Sequence, residues 1–431
     1  MKRTSFLLVA AALALAPTAW IVTPALAAPP TGACTGNVEP AHPVIAEQPW
    51  AQRLLDLKRV WPHSTGAGTL VAVIDSGVDV DHPQLAGKVL PGRDFFLVGS
   101  LPGNFDCTSH GTAVASIVDA SQVAGVGFAG VAPDARVLPV RVTDRSLNDG
   151  GEPTPIDPDA VGKGIRYAAD EGAKVINLSL SGYGDYPVIR DAVRYAQSKD
   201  ALIVAAAGNR QENAPGSASY PAAYEGVLGV GAIDISGARD SGSQVGGFVD
   251  LVAPGKDVVA AARVAGHEYW DGTSFAAPFV SGAAALVRSA WPKLTAPQVA
   301  QRLVATASLA RGGQGSPAYG AGVVDPYRAV TEGLSGTPDV MPAVRIPPVD
   351  LAAVHEQQWW SLAGTHAKLV AAAVGLGIAL AAFVAWVAVR GRRRRWSAAR
   401  TTPPLSEVVR EEPPEQMFLF PKPEIERQTT G

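Results

Sequence analysis

Thr69-Leu70-Val71-Ala72-Val73-Ile74-Asp75-Ser76-Gly77-Val78-Asp79 is the stretch from which the fold can be read. A short apolar run without alternation fits a strand buried on both faces, which is the habit of parallel sheets. Comparable runs recur at Val137 to Val142, Val175 to Leu180 and Leu202 to Ala206. Between the last two, Val188, Ile189, Ala192, Val193 and Ala196 fall on one helical face. This strand–helix–strand alternation predicts an α/β fold, a parallel sheet with helices on both sides. No repeat of fixed period is evident, so a solenoid or propeller is not supported. Reactive groups in such a sheet collect at the carboxyl ends of its strands, where the quoted run delivers Asp75.

Two further segments supply what a lone carboxylate lacks. Ser109-His110-Gly111-Thr112 opens the apolar helical run Ala113 to Val118, putting an imidazole at a helix start. Gly272-Thr273-Ser274-Phe275-Ala276-Ala277-Pro278 precedes Val280 to Val287 and puts a hydroxyl at another. Peptide hydrolysis needs this set: a hydroxyl to attack, an imidazole to take and return its proton, and a buried carboxylate to fix the imidazole tautomer. The chain order Asp75, His110, Ser274 is one of the known orders of such triads. In Ala205-Ala206-Ala207-Gly208-Asn209 a strand runs out into an amide side chain, and Asn209 can donate to an oxyanion together with the Ser274 N–H. Each residue also has a plainer reading. Asp75 can cap a turn, with Asp79 or Asp81 as the carboxylate, and Asn209 can be a turn residue. His42, His63, His82, His267, His355 and His366 lie outside the three segments and read as surface or packing residues.

On these motifs the sequence from about Trp50 to Leu334 resembles the subtilisin family of serine endopeptidases. Gly130-Val131-Ala132-Pro133 and Val175-Ile176-Asn177-Leu178-Ser179-Leu180 resemble its supporting stretches. The resemblance implies that Ser179, Leu180, Ser181 and Gly182 pair backbone to backbone with an extended protein or peptide substrate. The family usually has glycine where Ser181 stands.

The ends decide where the chain works. Lys2 and Arg3 precede an apolar stretch from Phe6 to Val22 and the small-residue sequence Ala25-Leu26-Ala27, a cleavable secretory signal over residues 1–27, with an uncleaved anchor as the alternative. Residues 28–49 form a short extension before the peptidase domain at 50–334. Pro338, Pro342, Pro347 and Pro348 mark a spacer over 335–367. From Leu369 to Val389 no residue is charged, and a helix of that length reaches about 31 Å, enough to span a bilayer core. The transmembrane helix is therefore expected at 368–389. Arg390, Arg392, Arg393, Arg394 and Arg395 would hold the 390–431 tail in the cytoplasm and leave the catalytic domain outside. Of the 431 residues 47% are hydrophobic and the formal net charge is -3, which gives no basic surface for nucleic acid. The two cysteines, Cys34 and Cys107, suit one bridge in an oxidising compartment, or two buried thiols.

This order of segments resembles the mycosins, the membrane-anchored subtilases of actinobacterial type VII secretion systems. That resemblance implies an extension wrapped on the catalytic domain and tied to it by a Cys34–Cys107 disulfide, with secretion-complex subunits as partners. It also suggests that residues 143–158 correspond to a family insertion, an ordinary surface loop being the alternative. The 22 or so residues before the domain are too few for an independently folded propeptide. No cofactor is expected, and the scattered Asp residues lack the spacing of a calcium loop, so no metal is expected either. The function implied is a serine endopeptidase acting on secreted or envelope proteins. The alternative is a structural subunit that braces a secretion complex without proteolysis.

Overall fold

The computed structural model describes residues 33–34, 40–97, 101–144, 156–212, 216–313, 315–334 and 351–393. The secretory signal, part of the 28–49 extension, most of the 143–158 stretch, residues 335–350 of the spacer and the tail beyond 393 lie outside them.

The chain divides into two compact units, Met1–Asp350 and Leu351–Gly431. The first runs α1 (Trp50–Leu54), α2 (Leu57–Val60), β1 (Leu70–Asp75), β2 (Arg93–Asp94), α3 (His110–Asp119), β3 (Arg136–Arg141), α4 (Pro158–Asp170), β4 (Val175–Leu178), α5 (Pro187–Ser198), β5 (Leu202–Ala206) and β6 (Val227–Ile233). It continues with β7 (Leu251–Pro254), β8 (Val258–Ala261), β9 (His267–Trp270), α6 (Thr273–Ala290), α7 (Ala296–Ala305) and α8 (Pro326–Thr331).

Seven strands form one parallel sheet in the order β2-β3-β1-β4-β5-β6-β7, and β8 and β9 make a separate antiparallel pair. The apolar run of β1 serves both faces of that sheet. Val71 and Val73 pack with α3 and α6 residues such as Val114, Phe279 and Val280, whereas Ala72 and Ile74 pack with α4 and α5 residues such as Ile165 and Val193. After β1 the chain first builds outward through β3, then returns to place β4 on the other side of β1. The crevice beyond the carboxyl ends of β1 and β4 is thus the switch point of the sheet, the place where an α/β sheet holds its ligand. Asp75 and Ser179 are delivered to it by strand topology alone.

Among its described residues the second unit contains one helix, α9 (Leu351–Arg393). It starts inside the stretch that the sequence assigns to the spacer. The spacer prolines stop at Pro348, while Leu351 to Lys368 has no proline and is rich in Ala, Leu, Gln and Trp, so nothing there breaks a helix. Within α9, Ala373–Arg393 is long and apolar enough to cross a membrane, and Leu376, Ile378, Leu380 and Phe383 stand exposed along it.

Candidate active site

Asp75 is fully buried at the end of β1. Its Oδ1 accepts from the Ser76 N–H at 2.7 Å and lies 2.7 Å from Nδ1 of His110. A carboxylate only accepts, so His110 carries its proton on Nδ1 and leaves Nε2 as the acceptor, the tautomer a general base needs. Burial opposes charging of this imidazole, but the Asp75 charge, its hydrogen bond and the more distant Asp106 outweigh it. His110 is therefore held above the ordinary histidine value. His110 can come this close because α3 starts against the loop after β1. A Cβ on Gly111 would stand 2.0 Å from the Gly77 carbonyl oxygen, and one on Gly77, at φ 103°, 1.9 Å from that of Phe105. Only glycine backbone fits at either point.

Ser274 lies in the first turn of α6, behind Gly272 at φ 124°. Its hydroxyl donates to the Ser179 carbonyl at 3.2 Å, while the Ser179 hydroxyl donates to the Ser274 carbonyl at 2.6 Å. The second bond has a local cause. Pro278, four residues on, has no N–H to give the Ser274 carbonyl, so an outside donor takes the place of the helical one. Ser179 is itself held by Nδ2 of Asn177 at 2.9 Å, and Asn177 Oδ1 accepts from Ser281 at 2.8 Å, which ties β4 to α6. Phe275 packs on the His110 ring with centroids 5.1 Å apart, bringing the start of α6 beside the imidazole. Among the described residues Ser274 Oγ has no hydrogen bond to His110. Forming one takes the hydroxyl proton off the Ser179 carbonyl. Of the two alternative carboxylates, Asp79 accepts from the N–H groups of Asp81 and Val264, and Asp81 is exposed.

Asn209 stands on the far side of the same helix start. Its Oδ1 accepts from the Thr273 N–H at 2.8 Å and the Thr273 hydroxyl at 2.9 Å. That leaves its Nδ2 donor without a partner among the described residues, at an exposed position. The Thr273 hydroxyl also accepts from the Gly208 N–H at 3.1 Å, so one side chain sets both the strand end and the amide. The Ser274 N–H, a first-turn amide of an 18-residue helix, is the second donor available to an oxyanion. The sequence pattern by itself assigns Thr273 no role; its place directly before the hydroxyl residue is its only local signal.

Of the four residues expected to pair with substrate, Gly182 is already committed. Its N–H and carbonyl both pair with Tyr220, at 2.9 and 2.7 Å. Leu180 and Ser181, beyond the end of β4, have no backbone partner among the described residues, with Ser179 engaged through its hydroxyl and carbonyl. The pairing of Gly182 depends on the distant Tyr220 turn, which the local sequence does not announce.

Cys34 and Cys107 form a disulfide with Cα atoms 5.3 Å apart, attaching the extension three residues before His110. Farther along the extension, His42 N–H donates to Ala265, His267 N–H to Pro43, and Gly127 N–H to Ile45. His82 and His267 are buried and hydrogen-bonded to Gly266 and Gln84, as packing residues. No group of three or more His, Cys, Asp or Glu suited to a metal ion occurs among the described residues.

Arg141, in register with Asp75 on β3, is a second residue whose role the sequence pattern does not announce. Its fully buried guanidinium donates to the Ser76 carbonyl at 3.0 Å, to Asp94 at 3.0 Å and to Asp144, between the rings of Phe96 and Phe105. A charge inside an apolar strand run was its only sequence signal.

Comparison with known proteins gives this geometry its context. Residues 66–322 match the subtilase family model of peptidases. Mycosin-4 of Mycobacterium tuberculosis is 34% identical over 429 aligned residues, covering 87% of this chain and 90% of that protein. Thermitase of Thermoactinomyces vulgaris is 38% identical over 250, covering 58% of this chain and 85% of that protein. Among solved structures, MycP1 from the ESX-1 type VII secretion system superposes with a TM-score of 0.61 at 31% identity, covering 71% of this chain and 91% of that one.

Proposed function

Because the chain belongs to the subtilase family and, within it, to the mycosins, we propose that it is a serine endopeptidase in which Ser274 attacks the peptide carbonyl. His110 takes the Ser274 proton through Nε2 and returns it to the leaving amine, while Asp75 holds the imidazole and stabilises its charge. The carbonyl oxygen gathers negative charge between Asn209 Nδ2 and the Ser274 N–H, and an acyl-enzyme on Ser274 is then hydrolysed. The extended substrate pairs along Leu180 and Ser181. The single observation that carries this reading is the 2.7 Å bond between Asp75 and His110, with Phe275, the neighbour of Ser274 at the helix start, packed against that imidazole.

The secretory signal, the apolar span in α9 and the arginines that follow support a domain order of 1–27 signal, 28–49 extension, 50–334 peptidase and a C-terminal anchor. The catalytic unit is then outside the membrane and the tail in the cytoplasm. The substrates are accordingly secreted or envelope proteins. Likeness to MycP1, a protein of a type VII secretion system, supports association with such a machinery.

A fluorophosphonate probe tests the chemistry. Folded full-length protein is labelled at Ser274, and Ser274→Ala abolishes labelling; folded protein that takes up no label at Ser274 removes the enzymatic reading. A second reading is that the protein braces a secretion complex. The match to mycosin-4 supports it by extending over 87% of the chain, beyond the peptidase segment. Complementation with Ser274→Ala separates the two, because restored secretion means that the scaffold suffices.

A further inference from the structure

Asp106 lies four residues before His110, is 5% exposed and has no part in the mechanism above. Its Oδ1 accepts from the Ser76 hydroxyl at 2.9 Å and the Thr108 N–H at 3.0 Å. Its Oδ2 accepts from the Thr112 N–H at 2.9 Å and the Thr112 hydroxyl at 2.7 Å. Ser76 is the hinge of this arrangement. Its hydroxyl also accepts from the Gly111 N–H at 2.9 Å, and its own N–H donates to the oxygen of Asp75 that holds His110.

These bonds close a ring. Asp106 grips the first turn of α3 through Thr112, Ser76 joins Asp106 to the end of β1, Asp75 joins Ser76 to His110, and His110 begins α3. The ring contains the carboxylate–imidazole pair, yet Asp106 hydrogen-bonds to neither member of it. A carboxylate at a helix N-terminus is favourable in itself. A cap for α3 alone, however, does not require the bond to Ser76, which belongs to a different element.

Resting on the proteolytic reading above, we propose that Asp106 is a positioning residue for the reaction: through Ser76 and Thr112 it holds the end of β1 and the start of α3 in register, and it places negative charge behind the imidazole. Its charge adds to that of Asp75 in favouring protonated His110. Among the described residues, the other charged groups around this cluster are Asp79 after β1, Arg141 at the end of β3 with its partners Asp94 and Asp144, and Arg263 on the β8–β9 turn.

The test uses full-length protein in detergent with a peptide substrate, comparing wild type, Asp106→Asn and Ser76→Ala. Asp106→Asn keeps the shape but removes the charge and presents an N–H2 where a donor is already aimed. Its kcat is expected to fall about tenfold or more, with KM within about twofold, because small displacements of catalytic groups are felt mainly in the chemical step. The acid limb of its kcat/KM profile moves to lower pH as His110 loses a nearby negative charge. Ser76→Ala cuts the link but keeps the charge, so kcat falls while the acid limb stays. Asp106→Asn with wild-type kcat, a loss confined to thermal stability, or a lower kcat with an unmoved acid limb would each overturn the proposal. If Asp106→Asn does not fold, Ser76→Ala carries the test, and wild-type kcat there overturns it. Wild type that cleaves nothing and takes up no fluorophosphonate defeats the proteolytic reading instead, a result distinct from active wild type with unaffected variants.

Discussion

Replacing Ser179 by alanine tests whether the helix that carries the nucleophile is held by a bond its own sequence makes necessary. The Ser179 hydroxyl donates to the Ser274 carbonyl, which Pro278 leaves without a helical donor, and accepts from Asn177 Nδ2. Ser179 is 4% exposed and Asn177 fully buried, so water does not readily replace either bond. Two buried polar groups lose a partner in Ser179→Ala. At about 1–2 kcal/mol each the loss is about 2–4 kcal/mol. For a folded unit of about 290 residues, with an unfolding entropy near 0.6 kcal/mol/K, that is a fall in Tm of about 3–7 °C.

Pro278→Ala supplies the discriminating background, since it restores an N–H four residues after Ser274. In that background the Ser274 carbonyl has its helical donor back and Ser179→Ala costs only the Asn177 share, about 1–2 kcal/mol. A double-mutant cycle read by thermal melts should thus return a coupling of about 1–2 kcal/mol between two residues 99 positions apart in the sequence. Equal losses from Ser179→Ala in both backgrounds would refute the argument that the proline creates the need for the serine.

Three other outcomes follow from named contacts. Cys34→Ala, or reduction, opens a loop with 73 residues of sequence separation, and the chain-entropy relation gives a loss of about 4 kcal/mol, measurable as a lower Tm; identical melts with and without reductant contradict it. Asn209→Ala should lower kcat by about 10²–10³ with little change in KM, and Thr273→Val, which removes one of the two bonds to the amide oxygen and keeps the backbone one, by less; equal losses in the two variants would mean that Thr273 does more than orient. His267 accepts from the Ile45 N–H and meets Gln84, and burial together with His82 pulls its pKa down to about 4. Because the folded state disfavours its charged form, this contribution is complete above pH 6.5 and is lost as pH falls from 6.5 towards 4. Thermal melts across that window should decline more steeply for wild type than for His267→Asn, and parallel curves would exclude His267 as the cause.

What could be read from sequence was whatever a short window contains. Asp75, His110 and Ser274 each stand where an apolar run begins or ends, and such junctions are local, so the α/β architecture and the candidate triad were legible together. The bonds that position those residues are not local. Ser179 and Ser274 are 95 residues apart, and Ser76 and Asp106 are 30 apart, so no periodicity reports that they meet. Arg141 was hidden in an apolar strand run because one charge does not alter the strand pattern, although a buried charge demands partners. The early start of α9 is hidden for the opposite reason, since helix-forming residues follow directly on a run of prolines that ends at Pro348.

The bonds of the extension lead towards the same imidazole from outside the sheet. Residues 42–45 pair with the turn between β8 and β9, through His42 to Ala265 and His267 to Pro43. The tip of that turn then reaches the catalytic side: Arg263 N–H donates to the Ser109 hydroxyl at 3.1 Å, and Val264 N–H to Asp79 at 2.7 Å. Val264 at φ 72° and Ser109 at φ 65° both occupy the left-handed region, which is costly for a β-branched residue and unusual for a serine. Such backbone persists only where surrounding bonds hold it, and here each of the two residues is held by a bond to the other side of the contact. The residue immediately before His110 is thus fixed by a turn that the extension in turn fixes. The tether at Cys107 and the bonds at residues 42–45 therefore bear on α3 from two directions, and loosening the extension is expected to reach His110 through Ser109 before it reaches Asp75, which β1 holds within the sheet.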